Sequence, residues 1–155
     1  MFLLGEFGVE KNTDTLIELP ATFSCGDVCD AGLPNYSGAL TYTRNFRAEK
    51  GKRTFIKVNN WEGTAFGVSV NGSKLIPVGW APYEVEVTDF IRDGENELEI
   101  NIFGSRRNSH GPFYLHDGEI SPGWCGPAQM SCFAHPDKIL APLGLLDEPE
   151  ILVEA

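Results

Sequence analysis

Basic residues are scarce in this 155-residue chain: 12 lysines and arginines stand against 22 aspartates and glutamates, a formal net charge of −10. Binding to a phosphate backbone needs a basic face, so nucleic acid is excluded as a default partner. The same charge argues against docking on an anionic membrane surface. Long apolar runs are missing as well, and none approaches the ~20 residues of a membrane span. Met1-Phe2-Leu3-Leu4 is apolar, but Gly5-Glu6 cuts it off. It has neither a basic region nor a cleavage site, so it does not read as a signal peptide, and the compartment stays open between cytoplasmic and exported. Low-complexity tracts, repeats and linkers are also lacking. Residues 1–155 therefore read as a single domain, long enough to hold a core without disulfide staples.

Recognised site spacings are absent too. The four cysteines stand as Cys25-x3-Cys29 and Cys125-x6-Cys132, and neither is the C-x2-C of common structural zinc sites. A site built from all four thiols, or from thiols with His110, His116 or His135, is disfavoured by that spacing. Buried thiols, or disulfides in an exported chain, fit better. There is no G-x-S-x-G, no H-E-x-x-H and no phosphate-cradling loop. Ser109, His110 and Asp117 lie close in sequence, but chain proximity is not triad geometry.

What the chain does have is turn formers and aromatics: 17 glycines and 10 prolines spread along it, with 3 Trp, 4 Tyr and 10 Phe. Many short strands joined by turns suit that distribution. Strands are expected at 2–9 and 15–19, the second stopped by Pro20. Residues 24–37 read as a loop. From Gly38 to Phe46, Leu40, Tyr42 and Phe46 share one face, and Thr41, Thr43 and Asn45 the other, a period of two that marks a half-buried strand. Further strands follow at 53–58, 65–70, 73–77 and 84–87. Asn71-Gly72 closes a hairpin because both residues tolerate positive φ. Residues 88–92 suit a single helical turn. Residues 97–102 alternate most cleanly, with Leu98, Ile100 and Ile102 facing in. Residues 104–138 are irregular, and 150–153 read as a closing strand. The pattern predicts an all-β fold, an antiparallel β-sandwich of jelly-roll type. Leu98, Ile100, Ile102, Val68, Val70, Val85, Val87, Tyr42 and Phe46 are expected between its two sheets.

Residues 36–108 carry a series of blocks in a particular order. Tyr36-Ser37-Gly38-Ala39-Leu40-Thr41-Tyr42 precedes Phe46, then Val68-x-Val70-Asn71-Gly72. Trp80-x-Pro82-Tyr83-x-Val85-x-Val87-Thr88, Gly94-Glu95-Asn96-x-Leu98-x-Ile100 and Arg107-Asn108 follow. Together they resemble the galactose-binding-like jelly roll, the sugar-binding-type accessory domain of glycoside hydrolase family 2 and of related rhamnosidase-type glycosidases. The flanks, Leu4-Gly5-Glu6-Phe7-Gly8-Val9 and Leu143-Gly144-Leu145-Leu146, are similar as well, whereas residues 109–140 are not. The resemblance implies architecture before it implies a site. It also implies a catalytic domain elsewhere in the parent chain, because such enzymes keep their catalytic acids on a barrel of roughly 250 residues.

Glycosidic cleavage needs two carboxyl groups at a set separation, one held protonated. With 22 carboxylates, pairs are easy to find, but Glu84, Glu86, Glu97 and Glu99 alternate with inward apolar residues and so lie on a solvated face. The expected role is therefore non-catalytic: support of a catalytic domain, or glycan binding. A freestanding carbohydrate-binding protein is the first alternative. A small hydrolase with carboxylates in residues 104–138 is the second. Sugar binding needs an exposed ring and a few polar groups or a charged pair. Candidates are Trp61 in the apparent loop tip Asn59-Asn60-Trp61-Glu62-Gly63, the cluster Arg106, Arg107 and Asn108, and Tyr114 and Trp124. Trp80 and Tyr83 are expected to pack at a sandwich edge. No cofactor is expected. The jelly-roll resemblance brings in structural calcium as a minor alternative, with Glu18 and Glu150 as ligands.

Overall fold

The computed structural model describes residues 3, 5–110 and 138–154. In chain order the elements are β1 (Gly8–Val9), β2 (Leu16–Ile17), β3 (Ala39–Ala48), β4 (Thr54–Lys57), β5 (Trp61–Glu62), β6 (Ala65–Val70), β7 (Ile76–Val78) and β8 (Glu84–Glu86). A 3₁₀ turn (Thr88–Phe90), β9 (Gly94–Phe103), α1 (Arg107–His110), β10 (Gly144–Leu145) and β11 (Glu150–Val153) complete them. No helix among the described residues is long and apolar enough to cross a membrane.

One layer is a four-stranded sheet in the order β3-β9-β6-β7, and the other a three-stranded sheet in the order β11-β4-β8. Every pairing is antiparallel. The spine is β3 against β9, in register from Ala39↔Phe103 to Ala48↔Gly94. Period-two alternation sends Leu98, Ile100 and Ile102 inward beside Phe66, Val68 and Val70 of β6. They meet Ile56, Val58, Val85 and Val87 from the β4 and β8 side. The expected core is buried at every position except Tyr42, which is half-buried with its hydroxyl taking the Leu145 N–H at 3.2 Å. Glu97 faces solvent, and Glu99, partly covered, accepts from Ser69 Oγ at 3.0 Å.

The Asn71-Gly72 hairpin forms with φ of 54° and 72°. Its return strand begins later than the sequence suggested, at Ile76. Ser73 Oγ accepts the Val70 N–H at 3.1 Å, and this extends the turn through the residues expected to open the strand. The two N-terminal strands also differ from expectation. Within the described residues they shrink to Gly8↔Ile17 and Val9↔Leu16, a ribbon separate from both sheets. Leu16, Ile17 and Leu19 are 54%, 40% and 41% exposed, so their apolar character does not mark core strands.

Candidate functional site

A two-stranded ladder, β10 against β5, stands apart from both layers. Gly144 and Leu145 pair with Glu62 and Trp61, and Gly26 N–H donates to Leu145 O at 2.8 Å. The layers do not close over β3, which pairs with β9 alone among the described strands. A half-open cleft of about 570 Å³ remains between β3 and the segments 21–25 and 145–149. Leu40, Leu98, Ile100 and Leu145 supply its apolar floor, and Phe23, Cys25, Tyr42, Arg44 and Glu148 supply its walls and mouth.

Register explains the charge. Leu40, Tyr42 and Arg44 stand opposite Ile102, Ile100 and Leu98, so Arg44 occupies the inward-facing row. An inward charge on an edge strand is a known device against edge-to-edge pairing. Here Arg44 Nη1 reaches Glu148 Oε2 at 2.8 Å across the mouth of the cleft, with both side chains substantially exposed. Such a pair contributes only about 0–1 kcal/mol to stability. It is an accessible charged pair above an apolar floor. The Tyr42 hydroxyl is pushed above its ordinary pKa by burial, and it stays a neutral donor.

The two described cysteines are both free thiols. Burial raises Cys29 to about 12. Its Sγ lies 3.5 Å from Ala141 O and 3.3 Å from Asn108 Nδ2. Burial and then the nearby Glu148 charge also raise Cys25, which is partly exposed at the cleft. At pH 8 the Cys29 thiol, with a pKa of about 12, is almost wholly protonated. Native Cys29 should therefore resist iodoacetamide at pH 8 while Cys25 reacts slowly, with peptide mapping as the readout. Equal rates at the two positions would contradict this environment. The folded state keeps the Cys29 proton while the unfolded chain loses it from about pH 8.5 upward, so this group's contribution falls as pH rises from there toward 12.

Trp61 is not a loop tip. It lies in β5, half-buried, edge-on to Phe66 at 4.9 Å and to Tyr83 at 5.4 Å. Asn108 is 4% exposed. Its Nδ2 donates to Ala141 O at 2.7 Å and its Oδ1 accepts Ala141 N–H at 2.9 Å, which pins the chain after residue 138 to α1. Arg107, half-buried, borders a smaller hollow of about 230 Å³ with Tyr36, Glu62 and Asn108, and Arg106 is exposed. Trp61 and the 106–108 cluster are not among the residues lining the cleft. Tyr114 and Trp124 lie outside the described residues, as do Cys125, Cys132, His116, His135 and Asp117. Trp80 does not pack as expected: it is 82% exposed, whereas Tyr83 does meet Trp61 and Phe66. No group of three or more His, Cys, Asp or Glu side chains suited to a metal comes together among the described residues. Glu150 accepts the Asn59 amide at 2.7 Å. Glu86 is held below the usual carboxylate range by Arg53 and Thr88, the opposite of what a proton-donating acid requires.

No protein-family model matches the chain, and no curated protein is a significant match. Solved structures do match. A rhamnosidase from Novosphingobium sp. PP1Y is 28% identical with a TM-score of 0.55, covering 81% of this chain and 12% of the enzyme. A β-D-mannosidase from Dictyoglomus thermophilum is 25% identical with a TM-score of 0.46, covering 74% of this chain and 16% of the enzyme. A β-D-glucuronidase from the same organism is 21% identical with a TM-score of 0.45, covering 95% and 26%. The rhamnosidase carries the comparison. The chain is an antiparallel β-sandwich similar to a part of that rhamnosidase, a glycoside hydrolase, and it spans 12% of that enzyme's length.

Proposed function

We propose that this sandwich is a non-catalytic accessory module of a carbohydrate-active enzyme, of the galactose-binding-like jelly-roll type. It would pack beside a catalytic domain of the same polypeptide and help to hold glycan. The observation that carries this reading is the match of most of this chain to a small part of a rhamnosidase. Apolar side chains left in solvent, Trp80, Leu3 and Leu16 foremost, give it surface to bury against a neighbour. No cofactor enters the proposal.

The test is turnover of aryl α-L-rhamnoside, β-D-mannoside and β-D-glucuronide by the 155-residue chain. The expected result is none. Activity that survives purification and disappears on replacing one carboxylate would overturn the reading and favour the small hydrolase. A freestanding carbohydrate-binding protein is the second reading, and the cleft beside β3 is the observation in its favour. The loop contacts proposed at Trp61, Arg106, Arg107, Asn108, Tyr114 and Trp124 are tested by Trp61→Ala and Trp124→Ala on any sugar affinity found. Because Trp61 packs on Phe66, its substitution is expected to lower stability more than affinity.

A further inference from the structure

We infer that the cleft beside β3 is a binding site for a neutral pyranose, whose vicinal hydroxyls bridge Arg44 and Glu148 and whose C–H face lies on Phe23 and the apolar floor. The inference rests on the proposed reading only in taking a glycan as the ligand class.

The chemistry of the mouth narrows the ligand. A group that satisfies a guanidinium and a carboxylate together must accept from one and donate to the other through adjacent atoms. A vicinal diol does both, since each hydroxyl is at once donor and acceptor. Arg44 and Glu148 are 2.8 Å apart and both solvated, so they can part slightly to admit the diol without a buried ion being stranded. The Tyr42 oxygen already accepts the Leu145 N–H, which leaves its O–H free to donate into the cleft. Below these groups the half-buried Phe23 and the edge of Leu40 offer apolar surface to ring carbons, with Leu98 and Leu145 buried beneath them. The volume of about 570 Å³ lies within the usual range for small-ligand pockets.

Charge decides between neutral and acidic sugars. Glu148 already neutralises Arg44, and the chain carries a net charge of −10. A uronate would have to displace Glu148 and enter against that field. A purely apolar ligand would cover the half-buried Tyr42 hydroxyl without offering its O–H an acceptor.

The cleft supplies its own reporter, because Cys25 lines it and Cys29 is buried. The experiment follows iodoacetamide modification of both cysteines by peptide mapping, alongside amide NMR shifts, during titration with L-rhamnose, D-mannose and D-glucuronate. The expected result is slower Cys25 alkylation with a neutral sugar, about twofold at half-saturation, and no protection by D-glucuronate. Arg44→Met should abolish protection. Glu148→Gln should weaken the neutral sugars and admit D-glucuronate, because it leaves Arg44 uncompensated. Continued resistance of Cys29 shows that each variant is folded. The site is overturned if no neutral sugar protects Cys25, if D-glucuronate is preferred by the wild type, or if protection survives both substitutions. Sugar shifts that appear away from the cleft would remove this site and leave the accessory reading standing. Turnover of an aryl glycoside would do the reverse.

Discussion

Replacing Asn96 by alanine should lower stability by about 2–4 kcal/mol, the sum of several hydrogen bonds at roughly 0.5–1.5 kcal/mol each. Asn96 is 1% exposed and sits at the base of β9. Its Oδ1 accepts from Arg92 N–H and Asn71 Nδ2, both at 2.8 Å. Its Nδ2 donates to Arg92 O and Gly94 O, both at 3.0 Å. Asn71 in turn donates to Phe90 O at 2.8 Å and accepts Glu97 N–H at 3.1 Å. One amide thus ties the hairpin after β6 to the loop before β9. Alanine leaves the Arg92 N–H and the Arg92 and Gly94 carbonyls without these partners. For a domain of this size the melting temperature should fall by roughly 5–15 °C.

Asn96→Asp separates acceptor from donor at the same site. The carboxylate keeps the two accepted bonds but turns an oxygen toward the Arg92 and Gly94 carbonyls. Burial and those carbonyls disfavour the charged form, so the folded pKa of the new acid lies above its unfolded value of about 3.9. The folded state then holds its proton to higher pH than the unfolded chain does. Relative to wild type, this variant should regain stability as pH falls toward 4 and lose it as pH rises. Thermal melts of both variants across that window decide the matter. A loss within about 0.5 kcal/mol for Asn96→Ala, the range of an ordinary surface change, would mean that the network is idle.

The central strands were legible because one face of each is buried and the side-chain period is two, so Leu98-x-Ile100-x-Ile102 and Phe66-x-Val68-x-Val70 have one register that keeps them dry. Asn71-Gly72 was legible because local backbone conformation alone fixes it. The N-terminal ribbon was not, since its two-residue ladder is held by backbone bonds that any sequence can make. Trp80 was not either: it lies in a bend, where no periodicity says which way a ring turns. The cleft left one sign. Arg44 stands on the parity of Leu40, Tyr42 and Phe46, and a charge in an inward row marks either a protected edge or a site. Its partner Glu148 is 104 residues away along the chain, a distance over which sequence pattern carries no information.

Phe66→Ala should have an effect as large, about 3–5 kcal/mol, the usual cost of deleting a fully buried aromatic ring. Phe66 has 0% exposure. Its ring stands edge-on to Trp61 at 4.9 Å and tilted against Tyr83 at 6.1 Å. Removing it takes away the transfer energy of the ring and leaves a void that the paired strands on either side cannot collapse to fill. The consequence also reaches the cleft. Trp61 is paired with Leu145, and Leu145 both lines the cleft and donates its N–H to Tyr42. With Phe66 gone, Trp61 loses one of its two ring contacts, and the β5–β10 ladder that carries the cleft wall is anchored less firmly. Phe66→Leu keeps most of the volume and should cost far less, under about 2 kcal/mol. The two readouts are denaturant unfolding and Cys25 alkylation under native conditions. Phe66→Ala should shift the unfolding midpoint downward and speed Cys25 modification while Cys29 stays protected. Phe66→Leu should change both only slightly. If Phe66→Ala destabilises the chain but leaves the Cys25 rate untouched, the cleft wall is held by its backbone bonds alone, and the coupling through Trp61 is absent.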